Sequence, residues 1–96
     1  MTRKQRLDKI QYNKEFIRFY LEQNPCVDCG EDDLRCLDFD HLPEFEKICS
    51  ISKMVNSGYK IETILKEIDK CQIRCSNCHR KITWVRRNQE KPVIFE

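Results

Sequence analysis

Two cysteine pairs of identical spacing constrain this chain more than any other feature. Two residues separate the members of each pair, and 45 residues lie between the pairs. Four thiolates in this arrangement form a closed tetrahedral set, which is typical of structural Zn²⁺. The remaining cysteines, Cys36, Cys49 and Cys71, lack a partner at ligand spacing, and we expect them to be small buried apolar residues. The predicted zinc ligands are Cys26, Cys29, Cys75 and Cys78.

Size and composition agree with a fold that depends on a metal ion. The chain has 96 residues, enough for one small domain over residues 1–96, and 35% of them are charged. So short a chain buries a limited fraction of its surface, which favours an added structural metal. The charged N-terminal residues form no apolar run, and no apolar stretch is long enough to cross a membrane. A reducing, cytoplasmic location with metal-bound thiolates fits better than disulfides.

Charge is distributed unevenly along the chain. Residues 70–91 carry seven Lys/Arg against one acidic residue, and residues 1–20 carry six against two. Residues 22–46 carry nine acidic residues against one basic residue. Basic ends around an acidic middle suit a polyanionic partner such as DNA, together with carboxylate chemistry. An ordinary solvated surface is the alternative interpretation of the same pattern.

Hydrophobic periodicity predicts an α+β domain in three parts. Residues 1–24 form a basic arm (1–7) and a helix from about Asp8; residues 25–87 form the core; residues 88–96 form a tail. Residues 34–41 alternate as a strand, with Asp38 and Asp40 on one face. Two short helices are expected within 44–70, mainly to cover the sheet, followed by a strand at 71–74 and a helix from about 76 to Arg87.

The sequence leaves two interpretations for Trp84 and two for the apolar segment near the C-terminus. Trp84 is expected in the core, with a surface contact as the alternative. The apolar segment at 92–95 either docks on the domain or mediates self-association.

The chain has only two histidines, and each adjoins other ligand chemistry. His79 directly follows Cys78, and His41 directly follows Asp40 at the end of the predicted strand. A single histidine is usually an ordinary surface or core residue. Together, these residues supply an Asp/His pair for a hard divalent cation and a spare imidazole as a base. Hydrolysis of a phosphodiester requires this combination.

The order of these motifs resembles the HNH nucleases, and more narrowly the small zinc-containing HNH endonucleases of phages and bacteria. C-x-x-C is followed by Leu-Asp-Phe-Asp-His and then by Cys-Gln-Ile-Arg-Cys-Ser-Asn-Cys-His-Arg-Lys, from residue 26 to about residue 84. The resemblance implies a ββα-metal motif inside a treble-clef-like zinc module with flanking helices. It also implies metal-dependent nicking or double-strand cleavage of DNA.

The resemblance further implies a role for individual residues. His41 would be the general base, and Asp40 and His79 would hold a catalytic Mg²⁺, Mn²⁺ or similar ion. Asn77, between the second pair of cysteines, would be the middle Asn of the triad and hold the loop that bears His41. The residues expected to contact DNA phosphates are Arg80, Lys81, Arg86 and Arg87.

The sequence departs from the family pattern at two positions. Many HNH enzymes have their middle Asn where this chain has Lys70, and some relatives have a further metal ligand where it has Thr83.

Two alternatives to a nuclease function therefore stay open. One is a non-catalytic zinc-finger module that binds nucleic acid or protein. The other is a subunit of a larger phage assembly, with a packaging or recombination protein as its partner.

Overall fold

The computed structural model describes residues 1–89 and confirms the α+β class. A two-stranded sheet lies among four helices, and one short 3-10 turn precedes the first strand. The predicted tail segment at 92–95 lies outside the described residues. The elements are α1 (Arg3–Gln23), the 3-10 turn (Leu34–Cys36), β1 (Leu37–His41), α2 (Ile51–Asn56), α3 (Ile61–Ile68), β2 (Cys71–Cys75) and α4 (Ser76–Gln89).

The two strands are antiparallel, and their register fixes which side chains share a face. Leu37 lies opposite Cys75, and His41 lies opposite Cys71. Directly opposed residues point to the same face of a sheet, so Asp38 and Arg74 lie together. Asp38 and Asp40 both reach His79 on α4, which confirms the predicted alternation of the acidic face. Strand β1 is shorter than predicted, because its first three residues form the 3-10 turn.

Two buried apolar clusters hold the fold. The first lies between α2 and α3 and includes Met54 and Ile64. The second joins the sheet to the cysteines, through Leu37 and Ile73. Two aromatic rings bridge the clusters, with ring centroids 5.9 Å apart. These rings belong to Tyr20 on α1 and Phe39 on β1, so α1 packs on both clusters.

Residues 1–7 were predicted to be a basic arm before the helix. This prediction is wrong for residues 3–7, because they form the first turns of α1. Thr2 caps the helix: its hydroxyl accepts from the Gln5 amide, and the Gln5 side chain accepts from the Thr2 amide. This reciprocal capping box satisfies two otherwise unpaired donors and starts the helix early. Asn13 is also buried, and its side chain donates to the Tyr59 carbonyl at 2.9 Å, which ties α1 to the loop before α3.

The predicted core position of Trp84 is wrong, because 58% of the residue is exposed. Helix α4 turns His79 and Arg86 toward the acidic face of β1. At about 100° per residue, Trp84 lies roughly 140° around the helix from His79. The indole therefore points away from the sheet.

In the part of the chain described here, no helix combines the length and the apolar character needed to cross a membrane.

Candidate zinc cluster and histidine cleft

The four predicted zinc ligands meet at one point. Their sulfur atoms all lie within 4.8 Å of one another, with Cys29 Sγ and Cys75 Sγ 3.7 Å apart. Cys26 and Cys75 are buried, whereas Cys29 is exposed. A set of four sulfur atoms with this spacing fits a tetrahedral ion such as Zn²⁺ and leaves no coordination position for water or substrate. The four-cysteine cluster could therefore hold a zinc ion of the structural type.

The first pair of cysteines is shaped by backbone hydrogen bonds. The Gly30 amide donates to the Cys26 carbonyl at 2.9 Å, and Gly30 has φ of 80°, as expected for the turn. The Val27 amide donates to the Ile73 carbonyl at 2.9 Å, which fixes the pair against β2. Burial raises the pKa of Cys26, but backbone N–H groups of Cys75 and neighbouring residues outweigh it and lower the pKa to about 6. In the cluster without an ion, Cys26 is therefore favoured as a thiolate, whereas the hydrogen bond with Cys75 and burial raise the pKa of Cys78 to about 12.

His79 lies one residue beyond the cluster and contacts two carboxylates. Its Nδ1 is 3.1 Å from Asp38 Oδ2, and its Nε2 is 3.4 Å from Asp40 Oδ1. The two aspartates come from the same face of β1, and His79 comes from the second turn of α4. A histidine that donates Nδ1–H to a carboxylate leaves Nε2 as a metal ligand. The predicted pair Asp40 and His79 is thus brought together, and Asp38 joins it.

Asp40 is 2% exposed and is held by two guanidinium groups. Arg74 donates to Asp40 Oδ2 at 2.6 Å, and Arg86 donates to both oxygens at 2.7 and 3.0 Å. Burial raises the pKa of Asp40, but the hydrogen bonds from Arg86 and Arg74 outweigh it and hold the pKa below its ordinary value. Arg74 also donates to Asp28, between the first two cysteines, at 2.7 Å. A chain of charges therefore links the cysteine cluster to Asp40.

His41 lies on the opposite side of β1 and contacts a buried carboxylate of α3. Its Nε2 is 2.9 Å from Glu67 Oε2, and Glu67 is 2% exposed. Two further groups hold Glu67: the Ile48 amide at 3.1 Å and Lys70 Nζ at 2.9 Å. Burial raises the pKa of Glu67, but these hydrogen bonds lower it below its ordinary value. The carboxylate is ionised at neutral pH and orients the His41 ring.

The two histidines line a single cleft, although His41 contacts Glu67 and His79 contacts Asp38. The cleft has a volume of about 330 Å³ and is lined by His41, His79, Asp38 and Lys47, among others. Residues from β1, α4 and the loop before α2 therefore converge on one opening. Two imidazoles, a carboxylate and an ammonium group are the components that acid–base and phosphate chemistry needs.

The remaining predicted site residues lie on α4. Arg80, Lys81 and Arg87 are exposed, so their charges face solvent. Arg86 is not free in the same way, because its guanidinium is bound to Asp40. Asn77 is exposed in the first turn of α4, and its side chain makes no hydrogen bond to any residue within 1–89. Asn77 follows the end of β2 that pairs with Leu37, whereas His41 lies at the other end of β1, opposite Cys71.

The sequence pattern did not identify Glu67, Lys47 or the role of Asp38. Residues 44–70 were expected mainly to cover the sheet, yet this segment supplies Lys47 to the lining of the histidine cleft and Glu67 as the partner of His41. One signal was present for Glu67. It lies three residues after Ile64 on the apolar face of α3, where an unpaired carboxylate would be costly.

Comparison of the chain with protein-family models, with curated proteins and with solved structures finds no match.

Proposed function

We propose that this chain is a metal-dependent nuclease of the HNH type, which hydrolyses phosphodiester bonds of DNA. The observation that carries the proposal is the shared cleft: His41 and His79 both line it, and each contacts its own carboxylate. The order β1, β2, α4 beside a four-cysteine cluster supports a ββα-metal motif in a treble-clef-like zinc module.

In this proposal His41 activates water. Its Nε2–H donates to Glu67, which leaves Nδ1 as the acceptor for a proton. The water oxygen attacks phosphorus, the water proton passes to Nδ1, and the bond from phosphorus to the sugar oxygen breaks. The leaving oxygen then takes a proton from solvent. Glu67 stabilises the imidazolium that forms, as a buried carboxylate does beside other catalytic histidines.

Asp40 and His79 are the residues that would hold a divalent ion. Asp40 Oδ1 and His79 Nε2 lie 3.4 Å apart, but Arg86 donates to the same Oδ1 at 2.7 Å and Asp40 is 2% exposed, so an ion could bind there only if the Arg86 guanidinium moved off that oxygen. When bound, Mg²⁺ or Mn²⁺ supplies positive charge for the phosphate and the leaving oxygen. Arg74 and Arg86 keep Asp40 ionised and fix its orientation. Lys47 adds a cation on the other wall of the cleft.

Zinc would have a structural role in the same proposal. The four thiolates close the coordination shell, so no position remains for water or substrate. Cys78 immediately precedes His79, and Asp28 binds Arg74, which in turn binds Asp40. The zinc cluster would thus fix the positions of His79 and Asp40, the two residues that would hold the catalytic ion. Exposed Arg80, Lys81 and Arg87 would bind DNA phosphates without reading sequence.

A plasmid assay tests the proposal. Wild-type protein with Mg²⁺ or Mn²⁺ should convert supercoiled plasmid to nicked or linear DNA, and His41→Ala should reduce the rate at least about 100-fold, since general-base catalysis contributes roughly 10²–10⁴-fold. Thr63→Ala, on the exposed side of α3, is the matched control and should cut as wild type does. If wild type and His41→Ala leave the plasmid equally intact, or cut it equally fast, the proposal is wrong.

A second prediction concerns Asp38, which orients His79. Asp38→Asn should weaken binding of Mn²⁺ by about 10–100-fold, because a neutral amide no longer fixes the Nδ1–H tautomer. Titration of Mn²⁺ followed by electron paramagnetic resonance measures this directly, with zinc content determined on the same sample. Asp32→Asn, in the exposed loop before the 3-10 turn, should bind Mn²⁺ as wild type does. Unchanged Mn²⁺ affinity in Asp38→Asn would remove Asp38 from the site.

A further inference from the structure

The outward face of α4 carries an exposed aromatic ring between two exposed cations. Trp84 is 58% exposed, Arg80 lies one turn before it and Arg87 lies one turn after it. Residues three and four apart on a helix are neighbours on its surface, so the three side chains form one strip. The strip is electropositive, because α4 (Ser76–Gln89) contains no acidic residue.

The strip lines a groove that His79 also lines. A groove of about 540 Å³ is lined by Trp84, Arg80, Arg87 and Thr83, and also by His79 and Asp38. His79 and Asp38 also line the histidine cleft, so the groove and the cleft share one wall. A chain lying in the groove would therefore reach the cleft where the proposed chemistry occurs.

The composition of the groove matches an unpaired strand of nucleic acid. Every base has an aromatic face, and stacking on a protein aromatic ring contributes about 1–3 kcal/mol per base. Arginines on either side of the ring can follow the phosphates, and they do so without reading sequence. In a regular duplex the base faces are covered by their neighbours in the stack. An exposed indole flanked by arginines therefore favours single-stranded or locally unpaired DNA.

We propose that Trp84 is a stacking platform for an unpaired nucleotide, and that Arg80 and Arg87 hold the adjoining phosphates. The inference rests on the proposed nuclease function and names its substrate class: DNA with a single-stranded or unpaired segment. The unpaired strand runs along α4 and presents the adjacent phosphodiester to the histidine cleft. Trp84 is a binding residue here and takes no part in the proton transfer.

Tryptophan fluorescence tests the proposal, because Trp84 is the only tryptophan of the chain. The His41→Ala variant, without added divalent ion, is titrated with a short oligodeoxythymidylate and with a blunt duplex of the same length. The single strand should quench the fluorescence in a saturable way, at a concentration at least about ten-fold below that needed for the duplex. In anisotropy measurements with a labelled strand, Trp84→Ala should bind about 5–150-fold more weakly, the equivalent of 1–3 kcal/mol, and Trp84→Phe should recover part of the affinity.

The arginines give an independent readout. Arg80→Gln and Arg87→Gln should each reduce the slope of log affinity against log salt by about one. Arg35→Gln, an exposed arginine before β1, is the control and should leave the slope unchanged.

Four outcomes would overturn the inference. They are absence of quenching while the labelled strand binds, equal affinity for the duplex, unchanged binding by Trp84→Ala, and fluorescence that changes with protein concentration alone, as expected if a second copy covers the ring. The experiment needs no cleavage, so quenching without cleavage of either a plasmid or a single-stranded oligonucleotide would reject only the nuclease. Plasmid cutting without quenching would reject only the stacking platform.

Discussion

Replacement of Cys75 by serine is expected to leave the chain largely unfolded at room temperature. Cys75 is 6% exposed and belongs to the buried cluster with Cys26, Leu37 and Ile73. It is also the last residue of β2, directly before α4, so a bound ion would join the sheet, the first cysteine pair and the helix. Structural zinc contributes about 10–16 kcal/mol in small zinc-binding peptides. That is as large as the whole stability of an ordinary domain, about 5–15 kcal/mol.

Circular dichroism and zinc content measure this prediction together. Wild-type protein should contain one zinc per chain and should lose helical signal when a strong chelator removes it. Cys75→Ser should lack both zinc and a cooperative thermal transition. Cys36→Ser is the matched control, because Cys36 lies outside the four-sulfur cluster, and it should keep both. A wild-type chain that stays folded without zinc would show that the buried clusters suffice.

The sequence alone could predict features that depend on local spacing. The two cysteine pairs predicted a four-ligand cluster, and the four sulfur atoms do converge. Alternation in residues 37–41 predicted that the two aspartates share a face, and both contact His79. The two short helices expected within 44–70 are α2 and α3, and α3 follows the apolar spacing of Ile61, Ile64, Leu65 and Ile68. Ligand spacing and side-chain periodicity are imposed by the backbone itself, so they can be recognised without knowledge of the tertiary contacts.

Pairings between distant charges could not be predicted in the same way. Arg86 was expected to bind phosphate like its neighbour Arg87, but α4 rotates it toward Asp40. The difference of one position, about 100° around a helix, separates an inward guanidinium from an outward one. Trp84 was misplaced for the same reason. The orientation of α4 about its axis is set by its packing on the sheet, which the sequence of α4 does not specify.

The charge network also explains why the cluster and the cleft are built next to each other. Asp28 lies between two sulfur ligands and binds Arg74, which binds Asp40, which binds Arg86. Arg74 comes from β2 and Arg86 from α4, so three elements are joined through a single buried carboxylate. Replacement of a whole buried ion pair by apolar residues is often neutral for stability, so stability alone does not account for this network. We infer that this network positions Asp40 relative to His79.

A second large effect is expected from Glu67→Gln, which keeps the shape of the side chain and removes its charge. In the folded chain Glu67 accepts hydrogen bonds from Lys70 and from the Ile48 amide, and it contacts His41. Loss of one partner from a buried ion pair costs about 3–5 kcal/mol, so the free energy of unfolding should fall by about 3 kcal/mol. Plasmid cleavage at saturating DNA should slow by about 100-fold or more, because the imidazolium of His41 loses its counter-ion.

The stability part of this prediction depends on pH in a definite direction. The pKa of Glu67 is lowered in the folded chain from its ordinary value of 4.5. A carboxylate with a lowered folded pKa stabilises the fold above its unfolded pKa, and this contribution is lost as the pH falls through the folded value. The difference in unfolding free energy between wild type and Glu67→Gln should therefore be largest near neutral pH. It should shrink as the pH falls below about 4.5.

Glu62→Gln provides the matched control, because Glu62 is exposed on the same helix. It should change neither the cleavage rate nor the unfolding free energy by more than about 0.5 kcal/mol. Binding of a labelled oligonucleotide should also be unchanged in Glu67→Gln, since Glu67 is buried away from the groove along α4. A residue that only supported the fold would lower the amount of active protein without lowering turnover per folded molecule. Normal turnover in the folded fraction of Glu67→Gln would therefore show that His41 works without this carboxylate.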